Sequence, residues 1–477
     1  MLPELLKRVH CQSWKNGSRK MILVCHWLRQ CCQLENTGTA SGTHRLIFDR
    51  ERVIRPSEFP NRAVSVLRTA VVITMIAVIS GTSLMAQDDA NWTRIKLDER
   101  FRSEGVAALD INRDGTPDVV AGDVYFIAPK SGTPDHLNGK KWKLGEIRMP
   151  GEFVAGVGYS SSFANFAWDM DKDGWQDAII IGFPGDPFHW YRNPGKDGSG
   201  HWESHEIWTS ACNESPEFED LNGDGAPEFL VGSQPEACMG FLQVPAPAEA
   251  TKRLAFRAVS EPGDPAQNGT FKYYHGLGAG DMNGDGHRDV LICHGWWESP
   301  GNLSTDKPWK FHPVRTAGDN GPQPLPPAAN LYADDLDQDG DADLFLSSAH
   351  QYGVWWAENK GESEPWVLHE IDRSYSQTHA VEQVDINGDG QLDYVTGKRF
   401  FAHNGGDPGE YDPVVMYWYE VIREKGKAPV IRPHQILAGL GTGVGTQFQI
   451  HDMNTDGKPD IVLSNKKGVN VLLQTAR

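Results

Sequence analysis

The sequence predicts an all-β chain folded as a seven-bladed β-propeller of four-stranded antiparallel blades, and three observations carry that expectation. A nine-residue acidic turn recurs seven times. Short runs with strand character surround each copy. The last copy lacks its fourth strand, and a matching strand stands near the other end of the chain.

The turns begin at Asp110, Asp169, Asp220, Asp281, Asp335, Asp385 and Asp452, with successive starts 50–67 residues apart. Positions 3, 5 and 9 carry further oxygen donors: Asn112, Asp114 and Asp118; Asp171, Asp173 and Asp177; Asn222, Asp224 and Glu228; Asn283, Asp285 and Asp289; Asp337, Asp339 and Asp343; Asn387, Asp389 and Asp393; Asn454, Asp456 and Asp460. Glycine stands at position 6 of every copy. Alternate side chains of a tight loop point inward at one cation, and Gly permits the turn that returns position 9 to it. A hard ion with oxygen ligands, Ca²⁺, suits this set, and up to seven structural Ca²⁺ are expected. An EF-hand is excluded, because position 12 is apolar, as at Ile180 and Ile292, and the flanks read as strands.

A repeat of this length suggests a propeller or a solenoid. Each turn lies between a strand A and an apolar strand B, as at 178–181 and 290–293. Strand C is aromatic (188–191, 295–297, 354–356, 415–419), and strand D often opens on Trp (142–147, 202–207, 309–314, 366–371). Four short antiparallel strands make a blade. The seventh repeat ends without a strand D, and 92–97 supplies one, so the N-terminal strand is expected to join the last blade and close the ring. The Trp and Tyr rings of strands C and D, and the recurring His205, His312, His369 and His434, are read as blade-packing groups.

The net charge of −19 argues against nucleic acid as a partner, and 23 of the 64 acidic side chains are the turn ligands themselves. Ahead of the repeats, Arg62 and Arg68 precede the apolar run 70–79, and 84–86 precedes an acidic stretch. This is a signal-peptide layout over 62–86 with cleavage near Ala86, too short for a comfortable membrane span. Residues 1–61 are then an extension from a start assigned too far upstream, or the tail of an uncleaved anchor. Residues 87–477 are expected to be a secreted or periplasmic monomer. Of its cysteines, Cys212 and Cys238 are placed to pair or stay free, and Cys293 falls in an apolar strand.

The stretch 274–286, with its Gly276, Gly278 and Gly280 ahead of the turn, resembles the FG-GAP/VCBS repeats of integrin α-subunit propellers, and the resemblance spans 92–477. The pieces 190–195 and 296–301 look like secreted bacterial members of planctomycete type. The resemblance implies the propeller and its Ca²⁺ turns. Its relatives include adhesion modules, carbohydrate-binding modules and aldos-2-ulose dehydratase-like enzymes, so the fold does not choose the function.

Chemistry is expected on the face opposite the turns, where strand A begins and strand B ends. Glu104, Glu214, His275 and His379 stand just before or at the start of strand A, with Asn213, Tyr274, Asn330 and Gln447 nearby. His294, His350, Lys398, Arg399 and His403 follow strand B, the last three in the insertion 398–407. Such groups suit acid–base work on a sugar, with Arg or Lys steadying an anion. Alternatively, His275, His379 and a Glu suit Zn²⁺. The functional expectations are a binding or adhesion module for glycan or protein ligands, or a carbohydrate lyase or dehydratase. A concave pocket that gathers these groups around one reactant favours the enzyme.

Overall fold

The computed structural model describes residues 86–87 and 91–475, apart from 197, 199, 305, 306, 319, 320, 362, 438 and 440. The signal-peptide reading and the extension 1–61 therefore lie outside the described residues, except for Ala86. No helix among the described residues is long and apolar enough to cross a membrane.

The described chain forms seven antiparallel blades of four strands in a ring; in six the strands follow sequence order, and in the seventh the outer strand is Trp92–Asp98. In blade 2, for example, strands A to D are Ala164–Trp168, Asp177–Ile181, Phe188–Arg192 and Glu203–Trp208. Ala86–Gln87 adds a short parallel strand beside the outer strand of blade 6. Each strand B is a run of fully buried apolar residues, such as Val119, Ile179, Leu230, Val290, Leu344, Val395 and Ile461. Strand B lies inside its sheet and is covered on both faces by the neighbouring blades, so its sequence does not alternate.

The ring closes as the sequence predicts. Trp92–Asp98 runs antiparallel to the last strand, Gly468–Gln474, in register from Trp92 opposite Gln474 to Asp98 opposite Val469. Trp92 and Ile95 from this strand enter the core of the last blade beside Val471 and Leu472. Around the rim, the backbone N–H of Trp202, Leu254, Trp309 and Trp366 donates to a carbonyl at the end of the preceding blade's outer strand.

The aromatic residues of strands C and D pack as blade filler. Trp190, Trp297, Trp356 and Tyr419 are buried, as are the strand-D residues Trp142, Trp202, Trp309 and Trp366. The four recurring histidines each stack on a strand-C tryptophan, His312 on Trp296 with centroids 4.0 Å apart and planes 5° from parallel. Cys212, Cys238 and Cys293 are all buried free thiols.

Closure gives a direct stability prediction. Ile95→Ala should cost about 2–5 kcal/mol in denaturant unfolding, as for a fully buried branched residue. Leu144→Ala, on the exposed side of a strand D, should change stability by less than about 0.5 kcal/mol. Equal losses from the two would contradict the closure account.

Candidate functional site

The acidic turns all sit at the A-to-B end of the ring. Position 1 accepts from the backbone N–H groups of positions 5 and 6: Asp110 takes Asp114 at 3.1 Å and Gly115 at 2.9 Å, and Asp452 repeats this with Asp456 and Gly457. Two positions of each turn are left-handed, with φ of +57° to +76° at position 4 and +80° to +106° at position 6. Position 4 is Gly in three turns, but Arg113, Lys172, Gln338 and Thr455 hold the same conformation, a cost the turn absorbs.

Position 9 does more than close the turn. In Asp118, one oxygen accepts from Ile111 N at 3.0 Å and the other from Ala128 N at 2.7 Å, just past strand C. The same pair of bonds recurs at Asp177, Asp289, Asp343 and Asp460. Burial pushes the position-9 carboxyls up, to about 7 at Asp118, Asp177, Glu228, Asp343, Asp393 and Asp460 and about 6 at Asp289. The backbone donors oppose this shift, and other carboxylates of the same turn add to it. Oxygens of Asp169, Asp171 and Asp177 lie within 4.8 Å of one another, as do those of Asp335, Asp337 and Asp339. Clustered oxygen donors with this crowded negative charge fit a hard divalent cation.

At the other end of the axis the sequence-selected residues gather. A register shift in Ala211–Glu219, with Asn213 left-handed at φ +82°, turns Glu214 inward. His275 precedes Leu277–Gly280, and His379 precedes Val381–Val384. His403 comes from the insertion after Asp393–Gly397. Ligand atoms of Glu214, His275, His379 and His403 all lie within 4.8 Å of one another. The separations are 3.7 Å from His275 Nε2 to Glu214 Oε2 and 3.4 Å from His379 Nε2 to His403 Nε2. His275 and His379 are 6% and 2% exposed. Burial, reinforced by neighbouring cationic groups, pushes His275 down to about 3 and His403 to about 4, so both rings are neutral near pH 7.

Charged residues surround this cluster. Arg399, 1% exposed, pairs with Glu104 at 2.9 Å and stands 3.7 Å from Glu214. Gly445 lets blade 7 approach Glu104, since a Cβ there would lie 1.8 Å from its carbonyl oxygen. His350 and His403 both contact Asp407 Oδ2, at 2.9 and 2.5 Å. Lys398 is fully buried against Ser376 Oγ at 3.2 Å.

Other selected residues do different work. Tyr274 bonds His294 at 2.6 Å within the core of blade 4. Asn330 and Gln447 line an axial channel of about 840 Å³ beneath the cluster. Asn213 shapes the bulge, its Oδ1 accepting from Ser215 N at 3.0 Å.

Three contributors carry no motif. Gln377 is left-handed at φ +63°, and its carbonyl accepts from Arg399 N and His379 Nδ1. Asp407 orients His403. Lys466, 3% exposed, donates to Phe401 O at 2.9 Å and lies 4.7 Å from the Tyr159 ring, with its amine pushed down to about 8 by burial. The spacing places Lys466 just after strand B of blade 7, at the register of Arg399, whereas Asp407 depends on how the insertion folds and Gln377 acts through its backbone.

The fold and its turns define a seven-bladed β-propeller of repeated acidic turns. The sequence model of FG-GAP-like repeats matches residues 169–231 and 335–396, so the propeller carries repeats of that type. No curated protein matches the sequence. Among solved structures, one described as the recognition of non-reducing terminal N-acetylglucosamine by an Agrocybe aegerita lectin is 14% identical. It covers 78% of this chain and 85% of its own, with a TM-score of 0.39. BBS1N in complex with ARL6DN is 9% identical, covering 80% of this chain and 94% of its own, with a TM-score of 0.41.

The turns make a pH-dependent prediction. Folding raises the position-9 carboxyls from 3.8 to about 7 in most blades, so their protonated form favours the ion-free fold. That contribution is complete at low pH and is lost as pH rises to about 7. A bound cation removes this loss. The gain in Tm on adding Ca²⁺ to chelator-stripped protein should therefore grow from about pH 5 to about pH 7.5. A gain independent of pH over that range, measured by calorimetry, would sink the assignment.

Proposed function

We propose that this propeller is a carbohydrate-active enzyme of the lyase or dehydratase type, with its site on the axial face opposite the acidic turns. One observation carries the reading: Glu104, Glu214, His275, His379, Arg399 and His403, from blades 1, 3, 4 and 6, converge in one buried cluster. Burying ionisable groups costs several kcal/mol unless each is compensated, and Glu104 Oε1 is buried in this cluster without a hydrogen-bond partner. Convergence of acid, base and cationic groups supports the enzyme reading over a flat binding rim, where such groups would be spread apart.

The chemistry suited to these groups is proton removal beside a carbonyl followed by loss of a hydroxyl or alkoxyl. Arg399 and Lys466 provide cationic groups for the developing anion. Lys466, with its amine near 8, is also suited to take a proton near neutral pH. Tyr273, Phe271 and Tyr411, 42%, 48% and 79% exposed, offer ring faces for a sugar on the same side of the ring. Those exposed rings also support a second reading, a module that binds glycan or an extracellular protein without turnover. In either case Ca²⁺ in the turns is structural, and the protein works as a monomer outside the cytoplasm.

The test follows new ultraviolet absorbance from an unsaturated product across a panel of uloses and uronates. With a turned-over substrate, Lys466→Met should lower kcat on the order of 10²-fold while leaving Tm unchanged or raised. No turnover on any member, with glycan binding retained, would favour the second reading.

A further inference from the structure

We infer that Glu214, His275, His379 and His403 form the binding site of one divalent transition-metal ion, with Zn²⁺ the best match to the donors. The inference concerns the axial cluster and rests on reading it as an active site.

The argument begins with tautomers. His275 Nδ1 lies 2.9 Å from the carbonyl oxygen of Tyr273, and His379 Nδ1 lies 3.2 Å from that of Gln377. A carbonyl only accepts, so both Nδ1 atoms carry the proton. His403 Nδ1 lies 2.5 Å from the Asp407 carboxylate and donates in the same way. Each neutral ring therefore presents a bare Nε2. His275 Nε2 is buried without a hydrogen-bond partner, and the Nε2 atoms of His379 and His403 face each other at 3.4 Å with no proton for either to share. Two facing lone pairs at that distance suit a cation that both can bind.

The spacing suits a metal. Two ligands at about 2.0–2.1 Å from Zn²⁺ in a tetrahedral arrangement lie about 3.3–3.4 Å apart. The His379–His403 separation matches, and Glu214 Oε2 stands 3.7 Å from His275 Nε2, within a short rotation of the same edge. Three imidazoles and one carboxylate select a first-row transition ion over Ca²⁺ or Mg²⁺.

The outer partners are those a metal centre uses. Backbone carbonyls orient two of the rings, and the Asp407 carboxylate, also held by His350, orients the third. Arg399 Nη1 stands 3.7 Å from the same Glu214 Oε2 that faces His275. With four protein donors, the bound ion would act as a Lewis acid on a substrate oxygen by expanding to five ligands.

The experiment uses the untagged full chain, stripped with chelator, restored with excess Ca²⁺ to fill the turns and titrated with Co²⁺. Intense visible bands of a nitrogen-rich, near-tetrahedral centre are expected at one equivalent, displaced by one equivalent of Zn²⁺. His379→Ala and His403→Ala should each weaken binding at least 10-fold, the latter serving if the deeply buried His379 variant fails to fold. His369→Ala, on an outer strand, should bind as the parent does. Absence of the bands from folded protein, or bands indifferent to His403→Ala, would overturn the site. Metal binding without turnover on any carbohydrate would leave this inference standing and count against the functional reading. Full turnover by the metal-free protein, with no Co²⁺ bands on titration, would overturn the inference alone.

Discussion

One carboxylate in each blade, at the ninth position of the acidic turn, ties together elements that would otherwise drift. In five blades it accepts one backbone N–H from its own turn and one from beyond strand C, so it fixes the A–B turn, the start of strand B and the end of strand C at once. An Asn in its place would have to turn its NH₂ group toward one of those donors, so a carboxylate suits the position better. The same choice gathers negative charge at one end of each blade. Repetition around the ring then places seven such clusters on one face.

This polarity of the ring decides where other chemistry collects. Every strand A runs from the face opposite the acidic turns toward the turns, so whatever precedes strand A gathers around the same opening. Groups that follow strand B arrive at that face too. Residues as distant in sequence as Glu104 and Arg399 thereby become partners at 2.9 Å. The outcome is a molecule with oxygen donors at one end of its axis and imidazole nitrogen, guanidinium and amine at the other. Strain follows the same division. Besides the position-4 residues of four turns, the left-handed non-glycine residues include Asn213, Gln377, Phe401 and Asn404, all around the axial cluster. A local cost at these positions is met by the interactions they set up.

Much of this was legible in the sequence because repetition reports register. The position of strand A relative to each Asp fixed which residues stand at its start, so Glu104, Glu214, His275 and His379 could be selected together. The missing strand D of the last repeat identified Trp92–Asp98 as the closing strand. Repetition says nothing about insertions. Asp407 acts through the folded insertion and Gln377 through its backbone, which has no side-chain signature, whereas Lys466 shares the register of Arg399 after strand B and was open to the same selection. Periodicity also could not separate Tyr274, which turns into the blade core with His294, from His275 beside it, which faces the axis. Position 4 of the turns escaped for a related reason: only three of the seven copies advertise the left-handed backbone with Gly.

The division of the molecule into an oxygen-rich end and a nitrogen-rich end is tested most directly by anomalous diffraction from crystals of the calcium-loaded protein, recorded on both sides of the zinc absorption edge. The account predicts one zinc-edge peak among Glu214, His275, His379 and His403, with calcium-type density confined to the acidic turns. Zinc scattering spread over the turns, or an axial cluster whose three Nε2 atoms are each satisfied by water or protein donors, would contradict it.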